Sequence, residues 1–159
     1  LSNRFPKELL QSCANEIRAN LAMRETVLDF QAQVRPDLGN IYTQLLIRVE
    51  LPLGVVIDRN KREKYTLFQR EKGFDTGERL QYTEAPLEGT TFFNVKEWQN
   101  LLIIKNILDQ IQTFVSKAGI EAVRDFDVHQ VLYRANREAK TLEIVLIDFE
   151  KVKVVASIV

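Results

Sequence analysis

Cysteine, histidine, methionine and tryptophan occur once each in these 159 residues, and the 22 basic side chains are matched by 22 acidic ones. A single cysteine, Cys13, excludes an intrachain disulfide. One cysteine with one histidine leaves no ligand set for structural zinc, so any metal is expected to be oxygen-bound. No apolar run approaches the ~18 residues that would span a bilayer. The N-terminus also lacks a secretory-signal pattern, and the chain reads as a cytoplasmic, soluble protein without a membrane segment. It starts at Leu1 with Met23 as its only methionine, so this terminus reads as trimmed. Balanced charge gives no reason to expect nucleic acid as a partner. The glycines, at 39, 54, 73, 77, 89 and 119, never fall in G-x-G spacing, so neither a Gly-rich phosphate loop nor a P-loop is present.

What is present can fold. At 45% hydrophobic residues the chain can bury a core, as one domain or two small lobes. Pro6 suits a first helical turn, and Leu10, Cys13, Ala14, Ile17, Leu21 and Leu28 follow at roughly helical spacing, which predicts a helix to about Gln33. Pro36 to Asn40 breaks it. Ile41 to Glu50 fits a helix or a strand, and the stripe Tyr42, Leu45, Leu46, Val49 favours helix. Val55–Ile57 and Tyr65–Phe68 predict an antiparallel hairpin with the charged tip Asp58 to Lys64. A loop runs from Gln69 to Gly77, and Leu80 to Thr91 reads as irregular. Asn94, with Glu97 three residues on, is a candidate N-cap. The helix it opens carries Leu101, Ile104, Leu108, Ile111, Val115 and Ala118 on one face, reinforced by Trp98, Leu102 and Phe114. The class is α+β.

Chemistry concentrates between Gly119 and Glu150. Asp125 follows a corner after the long helix, and Asp148 ends the apolar run Leu142 to Ile147. Between them Val128, Val131, Leu132 and Tyr133 predict one strand, Ala135 to Thr141 a turn, and Leu142 to Ile147 the returning strand. A hairpin brings its ends together, so both carboxylates are expected at one cleft. Paired carboxylates with an amide nearby can hold Mg²⁺ through hard oxygens and accept a proton from an attacking hydroxyl.

Arg124-Asp125-Phe126-x-x-x-Gln130-x-Leu132 resembles the catalytic loop H-R-D-L-x-x-x-N-x-L of the protein-kinase-like superfamily, which includes aminoglycoside and lipopolysaccharide-core sugar kinases. Ile147-Asp148-Phe149-Glu150 resembles the D-F-G that follows it. Val123, Gln130 and Glu150 stand where that pattern has His, Asn and Gly. The resemblance implies the central part of a two-lobe kinase-like fold, with residues 1–72 as a partial N-lobe and 73–159 as a partial C-lobe. It implies ATP and Mg²⁺ as cofactors and, if the intact protein carries the Gly-rich loop and Lys missing from these residues, phosphoryl transfer to an acceptor hydroxyl. Asp125 is then catalytic, while Asp148 and Gln130 hold the metal. Phe68, Gln69, Glu71 and Leu132 are assigned to the adenine end of the nucleotide, and either Glu16 or Glu25 is the helical Glu that pairs a strand Lys. Because no V-A-I-K match is present, the alternative is a pseudokinase-like binding or regulatory module, with a protein partner in place of turnover.

Other chemistries fit less well. Asp37 with Glu50 suggests a metal-dependent nuclease, but Pro52 stands where a Lys is needed. His129 has no Ser or Cys in a motif context to activate, and packing against the loop backbone is expected of it.

Overall fold

The computed structural model describes residues 7–69, 71–83, 94–122, 126–149 and 152–154. The class is α+β: two long helices pack against a mixed sheet, and two further strand pairs flank it. The first helix, α1 (Lys7–Gln33), follows the sequence expectation in length. Its facing does not. Leu21 and Leu28 point outward at 52% and 67% exposure, while Ala19, Met23, Val27 and Phe30 form the buried row.

The stretch Ile41 to Glu50, which fits either period and where helix was favoured, forms instead a strand, β1 (Gln44–Val49). This strand pairs in parallel with β7 (Thr141–Leu146), in register from Gln44↔Thr141 to Val49↔Leu146. The cause is tertiary: Ile47 and Val49 bury on the inner face, and the ladder comes from a strand about a hundred positions away. β1 is also an edge strand, and α1 covers that edge. The Gln31 amide accepts from Ile47 N at 3.0 Å and donates to Ile47 O at 2.9 Å, while Arg24 donates to Val49 O. Both peptide groups of Ile47 are thereby satisfied by a side chain that imitates a neighbouring strand.

The expected hairpin follows as β2 (Pro52–Asp58) and β3 (Glu63–Phe68), held to α1 by Thr66 Oγ1 donating to Cys13 Sγ. After the loop come β4 (Asp75–Thr76) and a 3-10 turn, Gly77–Tyr82, where irregular chain was expected from Leu80. Leu80 is buried there. The second helix, α2 (Asn94–Lys117), has Asn94 as its first helical residue rather than as the cap before it. Leu101, Ile104, Leu108, Ile111 and Val115 are buried as expected, joined by Ile103 and Ile107, whereas Leu102 is half exposed and Ala118 exposed. The helices meet through Phe30 and Phe114, edge to face with centroids 5.5 Å apart.

Beyond α2 lie β5 (Ile120–Ala122), the 3-10 turn Val128–Gln130, β6 (Val131–Asn136), β7 and β8 (Val152–Val154). The turn between β6 and β7 is shorter than expected, because Asn136 and Thr141 already pair. The main sheet runs β1-β7-β6-β4, so it draws strands from both sides of residue 72. On its inner face Ile47, Ile144 and Tyr133 form one cross-strand row against the helices.

Candidate functional site

Two strand pairings bring the same two stretches of chain together at their ends. β5 and β8 pair antiparallel with Ala122 opposite Val152, and β6 and β7 pair with Val131 opposite Leu146. The segment from Ala122 to Val131 and the segment from Leu146 to Val152 are therefore tied side by side at both ends. Ile147 N donates to Gln130 O at 2.8 Å and extends the Val131–Leu146 tether by one residue. Phe126 and Phe149, one on each segment, are buried and anchor the loops to the core. Phe126 N also donates to Gln112 Oε1 on α2. Asp125 lies outside the described residues.

Asp148 is exposed and adopts φ +66°. Its position in the left-handed region is set from both sides. Its N–H donates to Glu50 Oε1 at 3.0 Å, and its C=O accepts from Gln130 Nε2 at 3.4 Å. The Gln130 oxygen accepts from Asp127 N at 3.0 Å and the Asp127 side chain accepts from Gln130 N, the two halves of a capping box on the 3-10 turn, while Asp127 Oδ1 also accepts from Val128 N. The amide assigned to a metal is thus engaged at both ends by backbone. His129 is exposed, not packed on the loop, with Nδ1 3.7 Å from Asp127 Oδ2.

Glu50 is buried at 9% exposure directly after β1. Burial, the largest influence, raises its carboxyl from the ordinary 4.5 to about 7; the Asp148 N–H opposes this, and the charges of Glu16, Asp148 and Glu71 add to it. Glu50 N donates to Leu146 O, and Glu50 O accepts from Asn20 Nδ2 on α1 at 2.7 Å. Glu16, one turn before Asn20, lies on the side toward Glu50, whereas Glu25 is exposed. Asp37 of the nuclease pattern accepts from Gly39 N in its own turn.

The residues assigned to the adenine end divide. Leu132, Val145 and Arg48 share one row across the sheet's outer face. Glu71 reaches that row through a two-point pair with Arg48, at 3.1 and 2.9 Å. Phe74 lies against both Arg48 and Arg134, at 5.6 and 4.5 Å from its ring centroid. Phe68 is half-buried opposite Pro52, and Gln69 is exposed with its N–H on Leu51 O. An open groove of about 1160 Å³ lies elsewhere, beside Arg35, Gln44, Leu45 and Thr141, and none of the assigned residues lines it.

Among the described residues no group of three or more His, Cys, Asp or Glu side chains could hold a metal ion, and no helix is long and apolar enough to cross a membrane. Mg²⁺ typically keeps several waters and binds through one or two carboxylates plus substrate phosphates. A single exposed carboxylate at Asp148 fits an ion that arrives with phosphates and does not fit an all-protein cage. Asn20 and Asp127 escaped sequence reasoning, and Glu50 was noticed only beside Asp37 in the nuclease pattern, not for its hold on the Asp148 N–H. No protein-family model, curated protein or solved structure matches the chain.

Proposed function

We propose that this chain is the core of a kinase-like phosphotransferase, moving a phosphoryl group from MgATP to a hydroxyl acceptor. The observation that carries it is the double tether: the segments bearing Asp125 and Asp148 are tied side by side at Ala122↔Val152 and Val131↔Leu146. Helix, short strand, loop, hairpin, loop and returning strand follow in the order the resemblance requires, built on one sheet that draws strands from both sides of residue 72.

Asp125 orients the acceptor hydroxyl and takes its proton as the oxygen–phosphorus bond forms and the bond to the ADP oxygen breaks. Asp148 presents the carboxylate for the cation. Gln130 holds the Asp148 loop in place, and Leu132 and Glu71 stand at the adenine end. A bound divalent ion would offset charge on the transferring phosphates.

ATP titration with and without Mg²⁺ tests this. Wild type should bind ATP more tightly with Mg²⁺. Asp148→Asn should lose that increment and keep its metal-free affinity. Asp125→Asn should keep nucleotide affinity within about threefold, below the 1.4 kcal/mol of a tenfold change, and lose turnover. ATP binding with no Mg²⁺ increment and no turnover would favour the binding module, and equal destabilisation by both variants would leave only turn-forming roles.

A further inference from the structure

We propose that Glu50 is a positioning residue that fixes the backbone of Asp148 and couples it to α1 through Asn20. The inference rests on Asp148 being the cation-binding carboxylate.

A carboxylate is expensive to bury unless its oxygens meet donors. Glu50 is buried, and its Oε1 takes the N–H of Asp148. Its own backbone is fixed on both sides. Glu50 N continues the β1–β7 pairing by donating to Leu146 O at 3.0 Å, and Glu50 O receives Asn20 Nδ2 at 2.7 Å. Asn20 is wholly buried on α1. The line Asn20, Glu50, Asp148 therefore joins helix, strand end and loop through short contacts between fixed groups.

Asp148 needs such a hold. An L residue at φ +66° keeps that conformation only where its surroundings over-determine it. Glu50 holds the N–H and Gln130 the C=O, which leaves the exposed carboxylate as the part of Asp148 offered to a ligand. A displacement of α1 at Asn20 would reach that carboxylate without any contact between α1 and the ligand.

Two substitutions separate the acceptor from the bulk. Glu50→Gln keeps an oxygen for the Asp148 N–H, whereas Glu50→Leu keeps volume and loses it. Amide hydrogen exchange at Asp148 is read in the full chain, together with ATP affinity with and without MgCl₂. Glu50→Gln should leave Asp148 exchange within about threefold of wild type and keep the Mg²⁺ increment. Glu50→Leu should speed exchange at Asp148 about tenfold or more and lose the increment, with metal-free ATP affinity unchanged. Asn20→Ala should shift exchange in the same direction with the Glu50 carboxylate intact, and it decides the matter if Glu50→Leu does not fold. Wild-type exchange at Asp148 in Glu50→Leu, or equal impairment in Glu50→Gln and Glu50→Leu, would overturn the proposal. A wild type with no Mg²⁺ increment would sink the cation role of Asp148 separately, and exchange would still decide whether Glu50 holds its backbone.

Discussion

Asp148 donates its backbone N–H to Glu50 Oε1 at 3.0 Å across a separation of 98 positions in the chain. The contact joins the end of an edge strand to the loop after its parallel neighbour, and it places a buried carboxyl where protons matter. Burial raises that carboxyl from 4.5 to about 7 against the opposing Asp148 N–H. Between those values the folded protein binds a proton that the unfolded chain has released. The stability from this group is therefore complete below about pH 4.5 and is lost as pH rises through about 7. Glu50→Gln should flatten the melting temperature against pH across that window. An unchanged slope would show that Glu50 does not titrate there.

The left-handed backbone of Asp148 separates conformation from charge. Replacement by Gly removes the steric penalty of φ +66°, and replacement by Val adds a β-branched clash. Asp148→Gly should leave stability within about 1 kcal/mol of wild type, and Asp148→Val should cost about 2 kcal/mol. Both should lose the Mg²⁺ increment in ATP affinity. Equal stability of the Gly and Val variants in urea melts would contradict the strained conformation.

Gly77 is required by close approach. A Cβ there would stand 2.1 Å from Val128 O and 2.6 Å from Val131 Cγ2. Backbone oxygen cannot swing away as a flexible side chain can, so the 3-10 turn carrying Gln130 would have to move. Gly77→Ala should destabilise by on the order of 3 kcal/mol, the upper part of the range for overpacking. It should also change the amide chemical shifts of Val128 to Val131. A variant as stable as wild type would mean that the two turns separate freely.

Local pattern carried much of the fold and less of the site. Both long helices and both hairpins were legible, because three-to-four and two-residue periodicities arise within one window. Gln44 to Val49 was not, since its parallel partner is distant and Leu45, Leu46 and Val49 suit either period. The outward Leu21 and Leu28 misled for a related reason: apolar spacing does not say which row of a helix meets the core, and Asn20 and Thr26 are buried while those leucines are not. Asp148 stood out by its place at a strand end. Glu50 was read only with Asp37 in a nuclease pattern, because its contact with Asp148 depends on a parallel pairing that no short window contains. Gln130 was noticed for the right loop, but the structure engages its amide with Asp127 and Asp148 backbone.

Gln130 itself supplies the sharpest distinction between holding a loop and holding a metal. The kinase-like pattern has Asn at this position, a residue one methylene shorter. If Gln130 acts through its amide as a ligand, Gln130→Asn should preserve or strengthen the Mg²⁺ increment. The geometry favours another outcome. One side chain spans from Asp127 N at 3.0 Å to Asp148 O at 3.4 Å, and a shorter one cannot meet both. Losing one such bond costs about 1 kcal/mol, so Gln130→Asn should lower stability by about that amount. The Asp148 amide should also exchange faster, because its peptide then depends on Glu50 alone. A Gln130→Asn protein with wild-type stability and a larger Mg²⁺ increment would return Gln130 to the metal.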